Sequence, residues 1–184
     1  VVVRTSAEDG FELLAKPILE AVTPRTRGVI ITSPGNPTGA IMSEPELKRL
    51  AQGLADREIW VVLDLCYEQL IYDDTPHNLP GMLWEYLGDR TVLVGTVSKS
   101  YAMTGWRLGY LIAPDSWMPG LVKMHQNLMI STTHFVQDAG VRVLDEGGAD
   151  CERMKVEFDR RRQFLLEKFR ALGLDPGYDP TGAF

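Results

Sequence analysis

Residues 29–64 read VIITSPGNPTGAIMSEPELKRLAQGLADREIWVVLD, and this stretch decides the fold. Val29-Ile30-Ile31 is a short apolar run without polar alternation, and Ile59 to Leu63 is another. Such runs mark strands covered on both faces of a sheet. Between them Leu47, Leu50, Ala51 and Leu54 fall at i, i+3, i+4 and i+7, which is one apolar face of a helix. Ser43 followed three residues later by Glu46 predicts a capping box, each side chain satisfying an orphan N–H at the helix start. Strand, helix and strand at this spacing form a right-handed crossover, and therefore a largely parallel sheet.

Working outward, Thr91 to Gly95 and Leu108 to Ile112 supply two more apolar strands. Upstream, a helix starts near Lys16 with Pro17 in its first turn, because proline breaks a helix interior. Its Ile18, Leu19 and Val22 face inward. After Pro119-Gly120 the pattern turns mainly helical. A long helix from about 149 to 172 carries Met154, Phe158, Phe164, Leu165 and Phe169 as its apolar stripe, and Gly173 stops it. Its Arg160-Arg161-Arg162 run reads as a solvated face. The expected fold is a three-layer α/β/α domain with a mostly parallel sheet.

The bulk composition narrows the function. The 184 residues suffice for one well-cored domain and are too few for two large ones. Lys and Arg number 19 against 25 Asp and Glu, a net charge of −6, which argues against a general nucleic-acid-binding surface. A small anionic ligand held by a few placed residues stays open. No stretch approaches the about 20 uninterrupted apolar residues of a membrane span. Cys66 and Cys151 are too few and too far apart for a disulfide framework, which fits a reducing cytoplasm. His77, His125 and His134 lack paired spacing, so no metal site is expected. The chain opens on Val1 without an initiator Met, and Gly182, Ala183 and Phe184 stop where a strand starts. A truncation at both ends is the expectation.

Three polar clusters each follow a predicted strand, at the edge where open parallel sheets bind ligands. The first is Ser33-Pro34-Gly35-Asn36-Pro37-Thr38-Gly39, a tight turn that displays Asn36; alternatively the Asn bonds only its own backbone. The second is Asp64 with Tyr67 three residues on. A carboxylate there meets a cation or several donors, or else it caps the following turn. The third is Thr96-Val97-Ser98-Lys99, with Arg107 eight residues beyond Lys99. A nucleotide P-loop needs Gly immediately before the Lys, and Ser98 stands there instead, which excludes it. Two hydroxyls and a guanidinium suit a phosphate, and a lysine beside them is a candidate imine-former.

S-P-G-N-P-T-G, D-x-x-Y after a strand, and S-K-x-Y-A-M-T-G-W-R-L-G-Y resemble the aspartate aminotransferase family. Those are the fold-type I pyridoxal-phosphate (PLP) enzymes of class I/II. Order and spacing agree from about residue 29 to 113, and more weakly beyond. The resemblance implies that Lys99 forms a Schiff base with PLP and moves the substrate proton. It implies that Asp64 pairs with the pyridine nitrogen and that Tyr67 and Asn36 bond the ring's phenolic oxygen. Thr96, Ser98 and Arg107 then hold the phosphate, Thr96 standing where Ser or Gly is more usual. Leu65 and Cys66 replace a frequent Glu-Ala and read as packing.

The family's hydroxyl-bearing phosphate loop and ring-stacking aromatic precede Val1, and its substrate-carboxylate arginine follows Phe184. The implied organisation is a PLP-binding large domain at residues 1–148, with the interdomain helix and the start of a small domain at 149–184. The implied activity is amino-group transfer between an α-amino acid and a 2-oxo acid, in a homodimer. Two alternatives share these cofactor residues. One is a C–S β-lyase or aminocyclopropane-carboxylate-synthase-like enzyme of the same fold, and the other is the PLP-binding effector domain of a transcription regulator.

Overall fold

The computed structural model describes residues 1–174 and 177–183. Four strands, β1 Gly28–Thr32, β2 Trp60–Asp64, β3 Thr91–Thr96 and β4 Gly109–Ile112, lie side by side in that order. β1, β2 and β3 are parallel, and β4 runs antiparallel to β3. The mostly parallel α/β sheet read from the sequence is present.

Three helices cover one face of it: α1 Ala15–Glu20, α2 Glu44–Leu54 and α3 Leu79–Leu87. Register brings Ile31, Leu63 and Leu93 into one row on that face, and all three are buried. Leu47, Leu50, Leu54, Leu79 and Leu83 descend onto them without residual exposure. Each fully buried side chain of this size contributes about 1.5–3 kcal/mol of transfer free energy. Ile18, Leu19 and Val22 pack at the margin, as their spacing predicts. Two polar groups finish this layer. The buried Thr91 hydroxyl donates to the Leu83 carbonyl at 3.1 Å. Arg90 donates to the carbonyls of Leu54 at 2.9 Å and Ala55 at 3.0 Å, and to that of Arg57, closing the C-terminal end of α2.

The capping box does not form. Ser43 is the N-cap of α2, but its side chain makes no cap bond. Glu46 instead accepts the Ala15 N–H at 2.7 Å and pairs with Arg49. The orphan donor that it satisfies belongs to the head of α1, 31 residues away.

The opposite face of the sheet also departs from the expectation of strands covered on both sides. Ile30 is 76% exposed, and every residue of β4 is exposed. Trp117, at the head of α5 Met118–Met129, meets Trp60 of β2 there, ring centroids 3.3 Å apart. α6 His134–Glu146 and α7 Gly148–Ala171 follow α5. α7 ends as expected: Gly173 takes φ +70°, and the Leu174 N–H returns to the Phe169 carbonyl at 2.8 Å. Its stripe residues Phe158, Phe164, Leu165 and Phe169 are exposed. Arg162, read as solvated with its neighbours, is buried. Gly182 forms an antiparallel bridge with Ile71, and Phe184 lies outside the described residues.

Candidate active site

The parallel strands end together. Register sets Thr32 beside Asp64 and Asp64 beside Val94, so the segments after β1, β2 and β3 emerge at one edge. The first is the Ser33–Gly39 turn. Gly39 donates to the Gly35 carbonyl at 2.8 Å, Gly35 donates to the Ala40 carbonyl at 2.9 Å, and the buried Ser33 hydroxyl accepts the Met42 N–H at 3.0 Å. The Ser33–Pro34 and Asn36–Pro37 bonds are cis. Asn36 is exposed at the tip of the turn.

Asn36 does more than bond its own loop. Its Nδ2 donates to the Tyr67 hydroxyl at 3.3 Å. Tyr67 is buried, with Leu70 and Ala183 around it. Lys99 approaches the same ring, its Nζ 5.8 Å from the centroid. An ammonium over an aromatic face is an electrostatically favourable arrangement. Residues from three separate turns therefore converge: Asn36 after β1, Tyr67 after β2, Lys99 after β3.

Asp64 accepts the Cys66 N–H on Oδ1 at 2.9 Å, so the turn-capping alternative is realised. Capping uses one carboxylate oxygen and leaves the other. Burial pushes the Cys66 thiol up, the Asp64 charge pushes it further, and Lys99 opposes. Both charges thus act on one thiol, which places Asp64 and Lys99 around it. The raised pKa keeps Cys66 protonated, consistent with a packing role.

Thr96 is the N-cap of the short helix α4 Val97–Ser100 and accepts the Ser98 N–H at 3.1 Å. Its hydroxyl lies 2.8 Å from both the Ser98 hydroxyl and the Leu108 carbonyl, and its single proton serves one of them. Arg107 stands apart from this pair. It has left-handed backbone (φ 54°), is exposed, and donates to the Thr104 carbonyl at 2.9 Å. The structure thus joins Thr96 to Ser98 directly and leaves Arg107 on its own turn.

One polar pair at this edge escaped the sequence reading. The Tyr110 hydroxyl donates to Glu68 at 3.1 Å. Burial raises the Glu68 carboxyl, and Tyr110 offsets part of that. Burial with the Glu68 charge pushes Tyr110 up to about 12. The Tyr110 ring fills the space that a Cβ at Gly95 would take. Glu68 adjoins Tyr67, and Gly95 within an apolar strand was the one available signal, since such a glycine marks close approach. Among the described residues, no cluster of three or more His, Cys, Asp or Glu could hold a metal, and no helix is long and apolar enough to cross a membrane.

The fold is an α/β domain whose polar side chains gather beyond the ends of its parallel strands. The family model for aminotransferase class I and II matches residues 1–184, and the chain belongs to that family. It is 35% identical to an aspartate aminotransferase of Pyrococcus abyssi, over 100% of this chain and 47% of the relative. It is 33% identical to aromatic-amino-acid aminotransferase 2 of Thermococcus litoralis, again over 100% and 47%. The crystal structure of an aromatic aminotransferase from Pyrococcus horikoshii superposes with a TM-score of 0.90 at 36% identity, over 100% of this chain and 49% of that one. The chain spans about half the length of the curated relatives it matches.

Proposed function

We propose that this chain is the cofactor-holding part of a PLP-dependent aminotransferase, which moves an amino group between an α-amino acid and a 2-oxo acid. The convergence of Lys99, Tyr67 and Asn36 beyond three parallel strands carries the reading. The donor set fits the cofactor group by group. There is an amine for its aldehyde, a carboxylate for its pyridine nitrogen, a phenol and an amide for its ring oxygen, and hydroxyls with a guanidinium for its phosphate. When bound, PLP supplies an electron sink for charge developing at the substrate Cα.

The residues divide the remaining work. Lys99 Nζ would hold the cofactor covalently and would move the Cα proton, as general base and then general acid. Asp64 Oδ1 accepts the Cys66 N–H, so Oδ2 would be the oxygen to pair with the pyridine nitrogen and keep it protonated. The Tyr67 hydroxyl accepts from Asn36, and the phenol and the amide together would bond the cofactor's ring oxygen. Thr96 and Ser98 would bond the phosphate, and Arg107 would join them on exchanging the Thr104 carbonyl for it.

In this reading residues 1–148 belong to the large domain and 149–184 to the interdomain helix and the start of a small domain. The apolar side chains exposed on α5, α6 and α7 suit a cytoplasmic homodimer in which further chain covers them. The test is Asp64→Ala in the full-length protein. Its apo form should fold normally and still bind PLP, while turnover falls by about a thousandfold or more, because the unpartnered ring nitrogen loses its proton. Near-normal turnover would refute the role.

A further inference from the structure

We infer that Arg162 and Gly182 form a brace that positions the Asn36 loop, so that the middle of α7 sets the geometry of a site residue it never touches. The inference deepens the proposed cofactor site and rests on that reading of Asn36 and Tyr67. Arg160 and Arg161 reach outward to Glu157, but the Arg162 side chain is only 6% exposed. Its Nη2 lies 2.7 Å from Asp73, its Nε 2.8 Å from Asp159 and its Nη1 2.9 Å from the Pro180 carbonyl. The guanidinium also stands 5.0 Å over the Tyr72 ring. A charge this buried persists only when paired, and the planar fork lets one side chain serve three places. Those places are α7 itself, the segment following Tyr67, and the segment at 180–183.

From Pro180 the connection runs straight to the site. The Tyr72 N–H donates to the Thr181 carbonyl and the Ala183 N–H to the Leu70 carbonyl, both at 2.8 Å, with the Gly182–Ile71 bridge between them. Leu70 in turn donates to the Tyr67 carbonyl at 2.9 Å. On its other side Gly182 presses against the Asn36 loop. A Cβ added at Gly182 would stand 2.6 Å from Pro34 Cβ and 3.2 Å from Ile41 Cδ1, and a Cβ at Gly39 would overlap the Gly182 carbonyl. Pro34 and Gly39 flank Asn36. One segment, pinned by Arg162, therefore bears on the turns carrying both proposed ring-oxygen ligands. It has no side chain at 182 because there is no room for one.

The test uses the full-length protein and the variants Arg162→Met, Arg162→Lys and Gly182→Ala, with Arg161→Met as control. In the apo protein, amide exchange at residues 35–42 should quicken by about tenfold in Arg162→Met and Gly182→Ala, while the amides of α2 and α3 stay unchanged. In the loaded protein, the pH midpoint of the visible band of lysine-bound cofactor should rise in both variants, as in Asn36→Ala. Losing a donor to the ring oxygen leaves more negative charge beside the lysine nitrogen, which then holds its proton more tightly. Arg162→Lys, with the charge but not the fork, should fall between, and Arg161→Met should match wild type. Faster exchange spread evenly through α2 and α3, or unchanged exchange at 35–42, would overturn the brace. If wild type itself shows no such band, the cofactor reading fails, and the exchange result still decides the brace.

Discussion

The two faces of the sheet have much the same apolar composition and opposite fates. Beneath it, Leu47, Leu50, Leu54, Leu63, Leu79 and Leu83 are sealed by α1, α2 and α3. Above it, Ile30, Val94 and Leu111 lie open, and Leu128, Ile130, Phe135 and Val156 on or beside the later helices are 61–80% exposed. The difference teaches that periodicity identifies which side of an element is apolar, but not what lies against it. The lower layer closes from residues within about 80 positions of one another. On the upper face Trp117 meets Trp60 and Val92 is buried, while Ile30 and Val94 stay open.

The largest effect that can break this contrast is a core truncation. Leu63→Ala, at a site with no exposure, should cost about 2–5 kcal/mol in urea unfolding of this chain. Leu128→Ala, 73% exposed on α5, should change it by less than about 0.5 kcal/mol. Equal costs would mean that the upper face is covered as firmly as the lower. A smaller effect comes from the polar seal of the lower layer. Arg90→Met removes the guanidinium from three carbonyls at the end of α2, of which those of Leu54 and Arg57 keep the Arg57 and Ile59 N–H groups, and should lose about 1–3 kcal/mol by the same measurement. A cost near zero would mean that water replaces the guanidinium there.

The smallest effect lies at the rim. Burial raises the Glu68 carboxyl above its ordinary value, so the folded protein prefers it protonated. The stability this confers is complete below the unfolded pKa of about 4.3 and is lost as pH rises through the folded value. Glu68→Gln should therefore be neutral in acid and mildly stabilising above that range, as read from urea midpoints across pH. An equal shift at every pH would place the effect in packing and not in ionisation.

How much the sequence disclosed depended on the range of the interaction. The buried face of α2 was legible because its signal lies within one helix. The capping box misled because the competing partner, the Ala15 N–H, belongs to another helix. Arg162 was unreadable for the same reason, its decisive carboxylate being Asp73, 89 residues away. At the rim, Asn36, Asp64, Tyr67, Thr96, Ser98, Lys99 and Arg107 were named from cluster chemistry and resemblance. The structure joins Asn36 to Tyr67, Tyr67 to Lys99 and Thr96 to Ser98. It turns Arg107 toward the Thr104 carbonyl, a local bond that no motif spacing encodes. The Glu68–Tyr110 pair needed β4 to fold back on β3 before either residue had a partner.

In the proposed function Lys99 carries the cofactor. Borohydride reduction of the PLP-loaded full-length protein, followed by peptide mapping, tests it directly. A reduced pyridoxyl group is expected on the peptide containing Lys99, and it should disappear in Lys99→Ala. A label on any other lysine, or one that survives in Lys99→Ala, would contradict it.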